Sequence, residues 1–270
     1  MENHLLQNRW ERGRYRFAYP KPEHRKKWLR VALLRARPDV LLLQEIGSDA
    51  FLRELQLDLA ASGLDYPHRH CAVAPGARIG LGLLARVPLE EVIFHDPVPL
   101  DDPELAEPAL RRGVQEVALS WNGQRARVFH VHLKSRYTSD PADPESARAR
   151  AAELRALQGL LEARQALGGD TLLLLAGDLN TPFDAPLLEG LRARWRPVPP
   201  ADAAGADWTY HHFRTDTREL IDGFWAPRAQ AAAIRPVAVF PLHPDDPPAS
   251  DHRMVVVELV TRRTASPSGP

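Results

Sequence analysis

The chain has 270 residues, 44% of them hydrophobic, enough for one large core or two small ones. Its 35 basic and 35 acidic side chains cancel, so it lacks the cationic excess that strong non-specific binding to duplex DNA requires. A single cysteine, Cys71, excludes an internal disulfide and a cysteine-rich metal site, and no apolar run approaches the ~18 residues of a membrane helix. The start, MENHLLQNRWERGR, carries no apolar core of signal-peptide type. The expected location is therefore cytoplasmic, and the expected state a monomer.

Residues 1–20 are basic and aromatic, without a clear period. A helix is predicted from Pro20 to Arg37, with Leu29, Ala32, Leu33 and Ala36 on its apolar face. Val40–Leu43 is an apolar strand running into Gln44-Glu45, which puts the Glu45 carboxylate at the end of a buried strand. Ser48 opens and Gly63 closes a second helix. Strands follow near His68–Val73 and Ile79–Leu84, then a proline-rich acidic loop over 95–113 that ends in Arg111-Arg112. Val114–Trp121 and Arg125–Leu133 flank Asn122-Gly123, the signal of a two-residue hairpin. In the second of these strands His130 and His132 share one face, while Phe129, Val131 and Leu133 share the other. A polar loop leads to a long helix over Pro144–Leu167, stopped by Gly168-Gly169.

Leu172–Pro182 reads LLLLAGDLNTP. A short, wholly apolar run that ends at a glycine is a strand buried on both faces. Asp178 and Asn180 sit where it leaves the sheet, and Thr181-Pro182 forces the chain away from helix. A carboxylate and a carboxamide on a rigid strand end can orient a water or meet a metal and a phosphate; the plain alternative is an Asx-type turn. Ala185–Arg192 reads as a short helix and 197–205 as a loop. Trp208–Phe213, Leu220–Trp225 (with Asp222 inside it) and Arg235–Phe240 read as strands. An irregular stretch over 242–250 leads to Asp251-His252 and a last strand, Met254–Leu259. Residues 1–260 form one domain and 261–270 a disordered tail. Helices alternating with strands and hairpins predict an α/β (α+β) four-layer α-β-β-α sandwich: two mixed sheets with outer helices.

Each polar feature has a structural alternative. Glu45 could be a surface acid beside a helix, His132 a satisfied core histidine, and Asp251 a turn cap. Asp222, a carboxylate in an apolar strand, needs a partner and could find one among the arginines. His130 and His132 with His211 and His212 could share a zinc ion, although no third-ligand pattern accompanies them.

Taken together and in order, PDVLLLQEIG, VHLKSR, LLAGDLNTP, LIDGFW and SDHRMV resemble the endonuclease/exonuclease/phosphatase superfamily of metal-dependent phosphoesterases, over roughly residues 38 to 259. That superfamily includes pancreatic-type deoxyribonucleases, abasic-site endonucleases, neutral sphingomyelinases and inositol-polyphosphate phosphatases. The resemblance implies hydrolysis of a phosphoester, most of all a phosphodiester, with Mg²⁺ or Mn²⁺. It implies that Glu45 and Asp251 contact the metal and that Asp178 and Asn180 align the water. It implies that His252 is the base, or the histidine bonded to the phosphate, oriented by Asp222, that His132 lies on the phosphate or leaving oxygen, and that Lys134 meets the substrate. The substrate would be a nucleic acid, a lipid headgroup or a sugar phosphate. The match departs at its start. The family opens with a strand ending in a T-[YW]-N-type motif whose Asn contacts the metal, whereas MENHLL resembles the residues just after that motif. The expectation is a start codon assigned too late, with Asn3 and Asn8 as the nearby substitutes. The alternative is a catalytically impaired relative that only binds.

Overall fold

In the computed structural model, residues 4–121, 123–169, 171–198, 207–239 and 249–260 are described. The chain opens with a hairpin, β1 (Gln7–Glu11) and β2 (Arg14–Tyr19), which the sequence did not announce. Arg12 and Gly13 both take positive φ, as a two-residue hairpin turn favours. β2 is almost wholly exposed, so burial imposes no alternation on its residues and leaves no period to read. Then follow α1 (Glu23–Ala36), β3 (Val40–Ile46), α2 (Asp49–Ala61), β4 (His68–Ala72), β5 (Gly80–Ala85), β6 (Leu89–His95), β7 (Val114–Trp121) and β8 (Gln124–His132). The second half holds α3 (Ala147–Ala166), β9 (Leu172–Asp178), α4 (Glu189–Arg194), β10 (Trp195–Val198), β11 (Tyr210–His212), β12 (Thr217–Glu219), β13 (Asp222–Pro227), β14 (Ile234–Val239) and β15 (Val255–Leu259). β6 is equally silent in sequence, because its Glu90 and Glu91 face solvent and break the apolar run. Asn3, Asn122 and the tail at 261–270 lie outside the described residues.

The expected mixed α/β class is what forms, with one difference in the sheets. A six-stranded sheet runs β10-β13-β9-β8-β7-β6, and a three-stranded sheet runs β3-β5-β4. Among the described strands only the β8–β9 pair is parallel, its two members being joined by a long helical crossover, α3. The three-stranded sheet is therefore antiparallel throughout rather than mixed. Among the described strands β14 and β15 pair only with each other.

Strand alternation sorts the leucines. Phe129 and Val131 of β8, with Leu133 just beyond it, pack with Leu154, Leu157 and Leu161 of α3. Val128 of β8 and Leu174 of β9 point the other way and meet Leu83 of β5, with Leu42 of β3 alongside. Leu41 and Leu43 of β3 turn to Leu33 of α1 and Leu52, Leu55 and Leu59 of α2. Between β3 and β15, neither of which has a strand on that side among the described residues, lies a cavity of about 1010 Å³. Leu29 and Leu33 of α1 line it together with Val128 and Leu174.

Candidate active site

Cross-strand register assembles the site. Asp178, the last residue of β9, lies opposite His132 on the parallel neighbour β8 and opposite Asp222 on the antiparallel neighbour β13. Directly paired residues present their side chains on one face. Three polar residues that are distant in sequence thus stand side by side at one sheet end. His252 comes in just ahead of β15, bridged through its backbone to Tyr210 and stacked against the Tyr210 ring at 4.7 Å between centroids.

The distances are short. His252 Nδ1 and Asp222 Oδ2 are 2.8 Å apart. Asp178 Oδ2 lies 3.5 Å from His132 Nε2 and 4.0 Å from His252 Nε2. Asp178, Asp222 and His252 each place one ligand atom within 4.8 Å of the others, a set able to hold a cation. Asp222 therefore finds its partner in a histidine, not in an arginine.

The supporting bonds explain the GDLN string. Gly177 has φ +137°, and a Cβ there would stand 2.0 Å from the Val131 carbonyl oxygen, so only glycine lets β9 pass this close to β8. The Asn180 amide donates to Asp178 Oδ1 at 2.7 Å, and its carboxamide nitrogen donates to Asp178 Oδ2 at 3.2 Å and to the Leu133 carbonyl at 2.9 Å. The Asx turn is present, and its bonds fix the orientation of the Asp178 carboxylate. Thr209, buried and unremarkable in the sequence, does the same for Asp222. Its hydroxyl accepts from the amides of Ile221 and Asp222 and donates to Asp222 Oδ2 at 2.8 Å. No pattern in Trp208-Thr209-Tyr210 could have announced it, since the partner is thirteen residues away.

Burial decides the protonation states. Asp178 is raised to about 7 by burial and by the negative charges of Asp222 and Glu45. His252 is pulled down by burial, but Asp222, Asp178 and Asp251 outweigh that and push it up to about 10. His132 is held well below the usual imidazole range by burial and by Arg112 and His252, so it is neutral.

Glu45 sits at a bulge of β3, between Gln44 and Ile46, with φ +64°. Its charge acts on both Asp178 and Arg112. Asp251 acts on His252 and Tyr210, and its carbonyl accepts from the His211 amide at 3.0 Å. The Lys134 ammonium donates to Ser135 O and Ser146 Oγ, both at 2.9 Å, and to Tyr137 O, which ties it to its own loop. Arg112, at the end of the acidic loop, is 8% exposed and donates to the Leu133 carbonyl at 2.8 Å, directly beneath the site. The double arginine is visible in sequence, but nothing there distinguishes the buried one. Asn8 accepts a bond from the Ala18 amide inside the first hairpin. The zinc grouping does not assemble: His130 is bonded to Gln44 and Gln115, His211 to Asp216 and His212 to Thr215.

The mixed sheet presents Asp178, Asp222 and His132 from its strand ends, and His252 joins them from the segment ahead of β15, so two carboxylates and two imidazoles cluster on an α/β scaffold. The model of the Endonuclease/Exonuclease/phosphatase family matches residues 21–252, and the chain belongs to that family. Members of the family are phosphoester hydrolases that depend on divalent metals. Three similar solved structures are beta toxin 275-280 from Staphylococcus aureus, sphingomyelinase C from Streptomyces griseocarneus, and D. rerio TDP2 complexed with a single-strand DNA product. The beta toxin is 14% identical with a TM-score of 0.66, covering 87% of this chain and 92% of its own. The sphingomyelinase is 21% identical with a TM-score of 0.60, covering 87% and 91%. TDP2 is 19% identical with a TM-score of 0.60, covering 86% and 89%. At such identities the likeness concerns the fold. A search of curated protein sequences finds no match.

Proposed function

We propose that this protein hydrolyses a phosphodiester with the aid of Mg²⁺ or Mn²⁺. The observation that carries the reading is a single carboxylate oxygen, Asp178 Oδ2, facing the Nε2 atoms of both His132 and His252 at the open end of the sheet. Asp178, raised to about 7, takes a proton from the attacking water. The water oxygen bonds to phosphorus as the P–O bond to the leaving alcohol breaks in line. His252 carries a proton at neutral pH and gives it from Nε2 to the leaving oxygen. The proton then returns from Asp178 to His252 across the 4.0 Å that separates them. Asp222 fixes the tautomer through Nδ1, Asn180 holds both oxygens of Asp178, and neutral His132 is the second imidazole beside the phosphate.

The donor set fits a hard divalent cation. It is built of carboxylate oxygens, and Asp178 is raised by burial and by the charges of Asp222 and Glu45. Glu45 and Asp251 would hold the ion beside the Asp178–Asp222–His252 cluster. When bound, it polarises a phosphoryl oxygen and offsets developing charge. Nucleic acids and lipid headgroups both remain within the substrate class, since the solved neighbours include a sphingomyelinase and a TDP2 with a DNA product. Lys134 reaches substrate only if its loop gives up the Ser135, Tyr137 and Ser146 contacts.

The test is a panel of an aryl phosphodiester, an aryl phosphomonoester, single-stranded DNA and sphingomyelin, run with Mg²⁺, Mn²⁺ and EDTA. Faster turnover of diesters than of the monoester, abolished by EDTA and lowered roughly 10²–10⁴-fold by His252→Ala or Asp178→Asn, is expected. Folded protein that turns over none of them sinks the proposal. Calorimetric Mg²⁺ binding without turnover would establish the binding-only reading instead.

A further inference from the structure

Glu45 occupies a conformation that a non-glycine residue does not adopt by default. Its φ of +64° lies in the left-handed region, where an L-residue crowds its own Cβ against the backbone. The β3–β5 register slips there, with Gln44 opposite Leu81 and Ile46 opposite Gly80. A bulge of this kind re-aims a side chain, and its neighbours must hold it. On one side the holder is plain: Ile46 is fully buried, and His4 bridges it, with the His4 amide donating to the Glu45 carbonyl at 2.9 Å.

On the other side stands a buried polar chain that takes no part in the acid–base cluster. Gln44 Nε2 lies 2.7 Å from His130 Nε2, His130 Nδ1 lies 3.0 Å from Gln115 Oε1, and Gln115 Nε2 lies 2.8 Å from His70 Nδ1. Chemistry sets the direction of every bond. An amide oxygen only accepts, so His130 carries its proton on Nδ1. Its Nε2 lone pair then accepts from the Gln44 amide, and the Gln115 amide donates to an unprotonated His70 Nδ1. The chain leaves β3, crosses to β8 and β7 of the other sheet and returns to β4. Gln115 and His130 are fully buried, beside an inter-sheet layer of apolar side chains, mostly Leu, Val and Ala. Apolar side chains would fill that layer without having to satisfy any donor or acceptor. A fully satisfied polar network instead specifies one geometry.

We infer that His130 and Gln115 are positioning residues that lock Gln44 and thereby hold the bulge presenting the Glu45 carboxylate to the cation site. The metal side of this inference rests on the proposed function; the bulge itself does not.

The experiment compares His130→Leu, Gln115→Leu and Gln44→Leu with the conservative His130→Gln, which keeps one donor and one acceptor. Hydrogen exchange of a peptide spanning 40–48 reads the bulge without any metal. Faster exchange is expected in the three leucine variants, and native protection in His130→Gln. Calorimetric Mg²⁺ affinity reads the consequence: roughly a tenfold loss in the leucine variants, with KM for substrate little changed, and recovery in His130→Gln. Gln44→Leu combined with His130→Leu should lose no more than either alone, since both break one chain. Glu116→Gln serves as the control. It removes a buried carboxylate bonded to His95, Arg127 and Arg164, so it lowers Tm without altering exchange over 40–48 or Mg²⁺ affinity. Leucine variants that lose Tm as that control does, while keeping both readouts native, overturn the inference. If the parent protein binds no Mg²⁺, the proposed function fails, and the exchange comparison still decides the positioning role.

Discussion

Asp222 and Thr209 show how much of an acid–base pair resides in its support. The carboxylate of Asp222 both bonds His252 Nδ1 and supplies the largest charge holding that imidazole protonated. Asp222→Asn keeps the shape and removes the charge. Burial then dominates, His252 loses its proton nearer neutrality, and a reaction that needs a protonated His252 shifts its optimum to lower pH. We expect kcat to fall roughly 10²–10⁴-fold, with the pH–rate profile displaced toward acid. Thr209→Val removes the hydroxyl that orients the same carboxylate. It should lower kcat by about 10- to 100-fold while leaving the alkaline limb, which reports loss of the His252 proton, near its native position. An equal displacement of the profile in both variants would show that Thr209 acts through charge and not through orientation.

The strands and helices legible in sequence are those whose burial writes a period. β3, β7, β8, β9, α2 and α3 can be read within a few residues, because each buries at least one face on a core cluster. β1, β2 and β6 cannot, since their exposed positions, Asn8 and Trp10 in β1, Arg14 to Ala18 in β2 and Glu90 and Glu91 in β6, mix polar and aromatic side chains with no burial period to order them. In the site, Asp178, His132, Asp222 and His252 are legible because a polar side chain at the end of an apolar strand contradicts its surroundings. Thr209, Arg112 and Gln115 are not, because only the tertiary pairing gives them a task. Gly177 bridges the two cases: it reads as a strand breaker in sequence, and in the fold it is the point where β9 closes on β8. Gly177→Ala sets a Cβ against the Val131 carbonyl carbon and oxygen, backbone atoms that cannot yield cheaply. We expect a loss of about 2–4 kcal/mol in urea denaturation, together with loss of turnover as Asp178 moves from His132. A stable, active Gly177→Ala protein would mean that the strand end tolerates displacement and that the register is not what assembles the site.

At the scale of the molecule, the open edges and the buried imidazoles have opposite consequences. β3 and β15 border the 1010 Å³ cavity with strand edges that no other described strand pairs. Amide exchange in β3 and β15 should therefore run ahead of exchange in β9, which is paired on both sides, by orders of magnitude; equal protection would mean that something covers the edges in solution. The buried histidines govern acid stability. His130 and His4 are pushed down to about 3, chiefly by burial, so both are neutral in the folded chain at pH 7. Below about 6.5 the unfolded chain binds protons at these positions and the folded one does not, so stability is full above that pH and falls as pH drops toward 3. At pH 5 each contributes a loss of about 2 kcal/mol relative to pH 7.5. Glu116 adds to the same slope lower down. Burial raises it, but His95, Arg127 and Arg164 outweigh that and hold it at about 2, so its contribution is present above about 4.5 and is lost as pH falls through 2. His252 and Asp178, raised to about 10 and about 7, act in the opposite sense, His252 adding stability as pH falls toward 6.5 and Asp178 as it falls from 7 toward the ordinary carboxylate range. The Tm should therefore rise slightly from pH 8 to about 6.5 and decline below, where the histidines outnumber the one opposing carboxylate. His130→Gln, which cannot titrate, should flatten the decline between pH 6.5 and 4 even if it lowers Tm at pH 7.5. Parallel curves for the two proteins would place the acid sensitivity elsewhere than in the inter-sheet layer.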